Sequence, residues 1–228
     1  MIREPWYWRN LTLFDNASQV ACDALYAVAN ELLLRKEQIV FRPDDPSDRI
    51  YLVEQGLIKV FSLAPQGELI ILWFCGAGEL FGAGGIAGEG PQSVFAQAVG
   101  PARVLSVGRN DFERVIEQHP RLALNTIRLV SGRLRLACDA FLENVSHPPG
   151  KRLARMLLRL ACQCAKPTES GFQFQIRLTH QELAQMIGSS RQTVNRILGQ
   201  YTNDGLICLE RRMLVIRQPE QLAALAGI

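Results

Sequence analysis

The spacing of apolar residues changes character along the chain. Between 31 and 108 they fall in short runs, ELLLRK, QIVF, RIYLVEQG, LIKVFSLA, LIILWF, SVFAQAV and ARVLSV. Arg-Pro-Asp-Asp-Pro, Gln-Gly, Gly-Ala-Gly and Gly-Glu-Gly-Pro separate these runs. Short strands with turn residues at regular intervals predict an antiparallel sandwich or barrel. A helix is expected before them, over 18–30, and a short one after them, over 109–118. His119-Pro120 breaks the chain, and a longer helix is predicted over 121–145. Its apolar residues are Leu124, Ile127, Val130, Leu134, Ala137 or Cys138, Phe141 and Val145. Steps of three and four sustained over three heptads are those of a coiled-coil seam. His147-Pro148-Pro149-Gly150 ends that helix, because proline has no amide hydrogen and restricts its predecessor. Another helix is expected over 151–164. The divisions that follow are 1–120, 121–147 and 148–228.

The stretch 178–205 has the strongest local signals. Thr179 is a good N-cap and Glu182, three residues on, completes a capping box. Leu183, Ala184 and Ile187 share one helical face, and Gly188 can take positive φ to end that helix. Ser189 or Ser190 can cap a second helix, reaching to about residue 203. Val194, Ile197, Leu198 and Tyr201 form its inner face; Arg191, Gln192, Asn195 and Arg196 form its outer face. Such a helix, with arginines at its exposed N-terminal end, suits the major groove of DNA. An ordinary helical hairpin with a solvated face would share the pattern. The flanks favour DNA: FQFQIR (172–177) reads as a strand, and 206–210 and 213–217 read as a hairpin with Arg211-Arg212 at its tip. A helix-turn-helix with such a hairpin is a winged helix. Its tip arginines would meet phosphate, which positions the protein without reading sequence. Candidate DNA contacts are Thr179, Ser189, Ser190, Arg191, Gln192, Thr193, Asn195, Arg196, Arg211 and Arg212.

Charge supports this division of labour. Of 228 residues, the first 150 hold 14 Lys+Arg against 17 Asp+Glu, a net of −3. The remainder hold 11 against 5, a net of +6. A basic C-terminal part is the electrostatic footprint of nucleic-acid binding. No apolar run approaches the 18 or so residues of a membrane span, and no signal peptide is evident. The six cysteines mostly lie in apolar periodic segments and read as buried small hydrophobes in a reducing compartment, so a cytoplasmic protein is expected. Trp6, Tyr7, Trp8 and Phe14 are expected to tie the N-terminal segment onto the body.

A roll of short strands, a long seam helix, a proline-glycine hinge and a winged helix containing SSRQTVNRIL together resemble the Crp/Fnr family of bacterial transcription regulators. The resemblance covers nearly the whole chain. It implies an α+β protein with an N-terminal antiparallel, jelly-roll-like β-roll, a dimerisation helix and a C-terminal winged helix-turn-helix. It also implies a homodimer on palindromic double-stranded DNA, action on RNA polymerase, and an effector in the roll. Residues matching Arg191, Gln192 and Arg196 read bases in the family. Arginine suits guanine O6 and N7; Gln192 stands where the cyclic AMP receptor protein has Glu, and pairs with adenine rather than cytosine. The dimer contacts would be Ile127, Val130, Leu134 and Phe141.

The effector segment departs from that protein. In 81–98, FGAGGIAGEGPQSVFAQA, Ala83 stands where the sugar-binding Glu is expected and Gln92 where the phosphate-binding Arg is, while Ser93 is kept. Ala137 and Cys138 replace two hydroxyl residues that touch adenine. The candidate pocket is Phe81, Gly82, Ala83, Gln92, Ser93, Ala137 and Cys138. A buried phosphate without a guanidinium partner is costly, so the effector is expected not to be cyclic AMP, or to be absent. The iron–sulfur members use an N-terminal cysteine cluster, where only Cys22 lies here. Cys75 and His119 are isolated candidates for haem ligation. No metal site is expected: Cys162 and Cys164, two apart on a helix, do not face each other. Gly82-x-Gly84-x-x-Ala87 is followed by Gly-Glu-Gly-Pro rather than a helix, against a dinucleotide fingerprint. With three histidines and no catalytic constellation, an enzyme is not expected. The rival readings are a haem- or other small-ligand-dependent sensor of the same fold, and a ligand-binding module using its winged helix for protein contacts.

Overall fold

The structure, a computed structural model, describes residues 11–67, 69–86 and 90–228; Trp6, Tyr7, Trp8 and Ala87 lie outside the described residues. The chain divides into two compact units, 11–134 and, within the described residues, 135–228.

The first unit begins with α1 (Gln19–Val28), capped by Ser18, whose hydroxyl accepts from the Ala21 amide at 3.2 Å. The expected helix over 18–30 is shorter at its end. Ala29 and Asn30 already pair with Val107 and Ser106, and the strand ladder overrides helix propensity there. Eight strands follow: β1 (Ala29–Leu34), β2 (Ile39–Phe41), β3 (Arg49–Gln55), β4 (Ile58–Leu63), β5 (Leu69–Cys75), β6 (Leu80–Phe81), β7 (Phe95–Ala98) and β8 (Ala102–Gly108). They form two antiparallel sheets, ordered β1-β8-β3-β6 and β2-β7-β4-β5. Strands β3 and β8 explain why their sequences read as nearly continuous apolar runs. Ile50, Leu52, Leu105 and Val107 face one core cluster, with Leu25 of α1, while Tyr51, Val53, Ala102 and Val104 face another. A strand buried on both faces loses its polar alternation.

Two helices complete this unit, α2 (Arg109–Gln118) and most of α3 (Pro120–Ser146). Phe112 and Val115 of α2, with Leu122 and Leu129 of α3, join the α1-side core. Asn125 is buried and donates from Nδ2 to the carbonyls of Leu13 and Asp15, both at 2.8 Å. Phe14 stacks on Tyr26 with ring centroids 5.8 Å apart, so this residue is tied to the body. The opposite face of α3 carries Leu124, Ile127, Val130, Leu134, Phe141 and Val145 exposed, Leu134 at 66% and Phe141 at 69%.

The second unit holds the end of α3, then α4 (Pro149–Cys164), β9 (Ala165–Thr168), β10 (Gly171–Phe174), α5 (His180–Met186), α6 (Arg191–Asn203), β11 (Ile207–Glu210), β12 (Met213–Ile216) and α7 (Pro219–Ala226). Its sheet runs β11-β12-β10-β9, antiparallel throughout. Pro149 opens α4 at its first turn, where a missing amide hydrogen costs no helical bond. The strand expected over 172–177 ends at Phe174, and the Gln175 amide donates to the Cys164 carbonyl instead. Gly171 closes the β9–β10 turn with φ +125°, and a Cβ there would overlap the Ile216 carbonyl. Gly171→Ala is expected to destabilise this unit by about 2 kcal/mol or more, from steric conflict in a region L residues rarely adopt, while the roll is unaffected. Urea titration followed by circular dichroism checks this; an unchanged midpoint contradicts it.

The cysteine expectation needs correction. Cys75 and Cys164 are buried, Cys22, Cys162 and Cys208 are partly exposed, and Cys138 is exposed. Cys138 lies beside the outward apolar stripe of α3, so helical periodicity there marked a surface rather than a core.

Candidate nucleic-acid interface and effector segment

The helix-turn-helix is built by side-chain caps. Thr179 Oγ1 accepts from the Glu182 amide at 3.1 Å, and the Thr179 amide donates to Glu182 Oε2 at 2.9 Å. That reciprocal pair satisfies two of the donors an isolated helix start leaves open. Helix α5 ends at Gly188, φ +56°, and the Ser189 amide donates to the Ala184 carbonyl at 2.9 Å. Ser190, rather than Ser189, caps α6 by accepting from the Thr193 amide at 3.1 Å. Leu183, Ala184, Ile187, Val194, Ile197, Leu198 and Tyr201 are all buried, so α5 and α6 share one apolar core. The Tyr201 hydroxyl donates to the Gly150 carbonyl at 2.8 Å, and burial pushes its pKa up to about 12. That bond ties the second helix to the start of α4.

Arg191, Gln192, Asn195 and Arg196 are exposed on the opposite side of α6. Arg191 and Gln192 occupy its first turn, where unpaired amides and the helix dipole favour an anionic partner. Arg196 Nη1 donates to Gln200 Oε1 at 3.3 Å along the helix. Thr179 and Thr193 are engaged in the two caps, so their hydroxyls primarily shape the turn.

The wing is the β11–β12 hairpin. Glu210 pairs with Met213, so Arg211 and Arg212 form a two-residue turn with φ of +50° and +67°. Positive φ at both central positions is the type I′ arrangement, whose twist matches the strands it joins. Both arginines are exposed. Arg217, at the hairpin base, is occupied: Nη2 donates to Glu210 Oε1 at 3.2 Å and Nε to Cys208 Sγ at 3.0 Å. The Ser170 hydroxyl and the Arg217 guanidinium hold the Glu210 carboxyl below its usual range. The structure thus brings the candidates Arg191, Gln192, Asn195 and Arg196 together on the exposed face of α6 and the tip arginines together on one hairpin turn.

Phe81 is buried in a cluster with Phe41 and Tyr51, with ring centroids 5.0–6.0 Å apart. Gly82 has φ +72°, and a Cβ there would come within 2.7 Å of the Tyr51 ring. Ala83 opens a 3-10 turn reaching Ile86. Gln92 is buried; its backbone bonds Asp44 and Asp45 at 2.9 and 2.8 Å. Ser93 is exposed, as are Ala137 and Cys138, which belong to the other compact unit. Cys75 is fully buried; desolvation pushes its thiol up to about 11, although Arg133 Nη2 donates to it at 3.3 Å. His119 caps the end of α2 through its backbone. No group of three or more His, Cys, Asp or Glu that could hold a metal ion occurs among the described residues.

Two features of the second unit lie outside the elements and sites expected from the sequence. Helix α7 carries its signals plainly: Pro219 at the start, Leu222, Ala223 and Ala226 inward, and Gly227 at φ +68° after the end. The other is a basic face on α4, Arg152, Arg155 and Arg159, spaced to lie on one side of the helix. Their partners, Glu143 and Asn144, come from the end of α3.

Comparison with known proteins places both halves. Residues 31–119 match the cyclic nucleotide-binding domain family, and 151–225 match the Crp-like helix-turn-helix domain family. A CRP-like cAMP-activated global transcriptional regulator of Mycobacterium tuberculosis is 28% identical over 211 residues, covering 92% of this chain and 94% of the relative. The catabolite activator protein of Thermus thermophilus is 30% identical, covers 94% of this chain and 98% of its own, and superposes with a TM-score of 0.51. FixK2 of Bradyrhizobium japonicum shares the fold, with a TM-score of 0.74 at 24% identity over 87% of this chain and 97% of its own. With both domain families in this order and a relative of this identity along nearly its full length, the chain belongs to the Crp/Fnr family and is a DNA-binding transcription regulator rather than an enzyme.

Proposed function

We propose that the protein binds a palindromic site as a homodimer, with α6 of each copy in a major groove and each wing on phosphate. The observation that carries this reading is the conjunction of two exposed faces. One is the Arg191, Gln192, Asn195 and Arg196 face of α6; the other is the apolar stripe along α3. A two-fold pairing of α3 would bury the stripe and present two reading helices to one side of the duplex. Arg191 and Gln192 enter first as base readers; Arg211 and Arg212 contact backbone. The roles assigned to 1–120, 121–147 and 148–228 are then effector-type roll, pairing helix and reading domain. No described helix is long and apolar enough to cross a membrane; we place the protein in the cytoplasm, where RNA polymerase is its expected partner. Selecting bound sequences from a random DNA pool tests the reading: recovery of palindromes supports it, and recovery of single half-sites alone rejects it.

Cyclic AMP is not the effector in this proposal. Ala83 offers no carboxylate and Gln92 no guanidinium, and the neighbouring interior is occupied by Phe41, Tyr51 and Phe81. Losing a charge-assisted bidentate contact removes the main compensation for desolvating a phosphate. Calorimetric titration with cyclic AMP is expected to show no heat at micromolar concentrations. Saturable micromolar binding would overturn the assignment, and with it the reasoning from positions 83 and 92. A less charged ligand of the roll, or control by the protein's own abundance, remains compatible with the same DNA-binding face.

A further inference from the structure

Proline at 148 and 149 and glycine at 150 read as a loose joint, yet the joint is bridged on both sides. Glu143, three residues before the end of α3, is the buried charged residue among the described residues. Its carboxylate accepts from Arg159 at 2.8 and 2.9 Å, through both oxygens, and from Arg155 at 3.3 Å. Arg155 continues inward, donating from Nε to the Ala226 carbonyl at 2.7 Å and from Nη2 to that of Gly227 at 3.3 Å, at the end of α7. On the next residue, Asn144 Oδ1 accepts from Arg152 Nη1 at 2.6 Å. Asn144 also lies against the turn of the helix-turn-helix, where a Cβ on Gly188 would come within 3.1 Å of its Oδ1. Tyr201 closes the frame from α6 onto Gly150.

These contacts bind the last turns of α3, the start of α4, the end of α7 and the turn before α6 into one body. In agreement, the boundary between compact units falls inside α3, at 134/135, and not at the prolines. A bidentate guanidinium–carboxylate pair fixes direction as well as distance, because both groups are planar. Breaking it takes the carboxylate from Arg159 and leaves Arg155 only the carbonyls of Ala226 and Gly227, so the charge of Arg159 is left uncompensated beside a buried position.

We infer that Glu143 is a positioning residue for DNA recognition: by holding Arg159 and Arg155 across the proline corner, it fixes the direction of α6 relative to the end of α3 and so sets the half-site spacing that a dimer accepts. The inference rests on the two-fold reading proposed above. It identifies a determinant of specificity that touches no base. Inserting one base pair between half-sites turns one relative to the other by about 35° and moves it by about 3.4 Å. A rigid corner cannot follow that change; a loosened one can.

The test uses full-length protein and a panel of palindromes whose central spacer is lengthened or shortened by one and two base pairs. For the native protein, affinity is expected to fall at least about tenfold on a one-base-pair change, the scale on which DNA must deform to restore register. Glu143→Gln, which keeps the shape and removes the charge, is expected to flatten that profile to within about threefold while base preference inside each half-site is retained. An unchanged sharp profile in Glu143→Gln overturns the inference. Should that variant bind all sites weakly, the reversed pair Glu143→Arg with Arg159→Glu decides. Recovery of one sharp spacing sustains the proposal, and failure to recover it overturns it. Sedimentation of the native protein separates the two readings: a monomer with no spacing preference removes the two-fold arrangement and this role together, whereas a dimer with a spacing profile indifferent to residue 143 removes only this role.

Discussion

Leu134→Glu is expected to convert the protein to a monomer and to cut its affinity for a palindrome by about a hundredfold or more, the usual gain when a second contact becomes intramolecular. The stripe containing Leu134 holds Leu124, Ile127, Val130, Phe141 and Val145 as well, exposed by 41% to 77%. Each such side chain contributes roughly 1.5–3 kcal/mol on full burial. At half that value, six from each of two copies give roughly 9–18 kcal/mol, comparable with or above the roughly 4–15 kcal/mol that association costs. A carboxylate in the middle of this face would meet its two-fold mate in an apolar setting, which costs several kcal/mol and reverses the balance. Because Leu134 is 66% exposed within one chain, the protomer itself should melt as before. Sedimentation and a duplex titration provide the readouts. A variant that stays dimeric rules out this face as the seam; a monomer that binds the palindrome undiminished rules out the need for pairing.

Arg191→Ala is expected to weaken binding by roughly 1–3 kcal/mol per half-site and to relax preference at one guanine in each. Two well-separated half-sites add to about 2–6 kcal/mol per dimer. Arg191 stands in the first turn of α6, just past the Ser190 cap, and side chains there reach base edges most deeply. Arg196 is five residues on, about 140° around the helix, and its guanidinium is directed to Gln200; it approaches from the flank. Arg212→Ala should behave differently. It removes a contact to phosphate, so all sequences lose affinity alike and the salt slope falls by about one unit for each wing. Titrations of a selected palindrome and its single-base variants, at several salt concentrations, distinguish the two. If Arg212→Ala changes base preference while Arg191→Ala does not, the roles are reversed.

The parts that the sequence discloses are those set by neighbours along the chain. Thr179 with Glu182, Gly188, and Ser190 with Thr193 act within three or four residues, so the helix-turn-helix is legible in its spacing. The strands from β1 to β8, β6 excepted, are recognisable because turn residues separate their apolar runs. The two-residue β6 is too short to carry a pattern of its own; it exists through pairing with Tyr51 and Leu52. Strand β9, Ala-Lys-Pro-Thr, has no apolar alternation and is held by β10. Likewise, the 172–177 segment has strand character throughout, but only its first half finds partners. The outward stripe of α3 shows the converse limit. Periodicity reveals that a helix has an apolar face, and solvent exposure is needed to learn that its own chain leaves that face uncovered. The Glu143 bridge was hidden for a related reason. Its arginines lie 12 and 16 residues away, across two prolines, and no local rule joins them.

The turn between β11 and β12 sets folding against function. Arg211 and Arg212 both hold a left-handed backbone, which costs an L residue roughly 1–2 kcal/mol and glycine almost nothing. Asn-Gly would suit that geometry better, but it would remove two positive charges from the tip. Variants enriched for heat resistance would therefore drift toward uncharged, relaxed tips, and variants enriched for operator retention would keep arginine. The same two positions would give opposite answers to the two selections, so a wing improved by one criterion alone is impaired by the other.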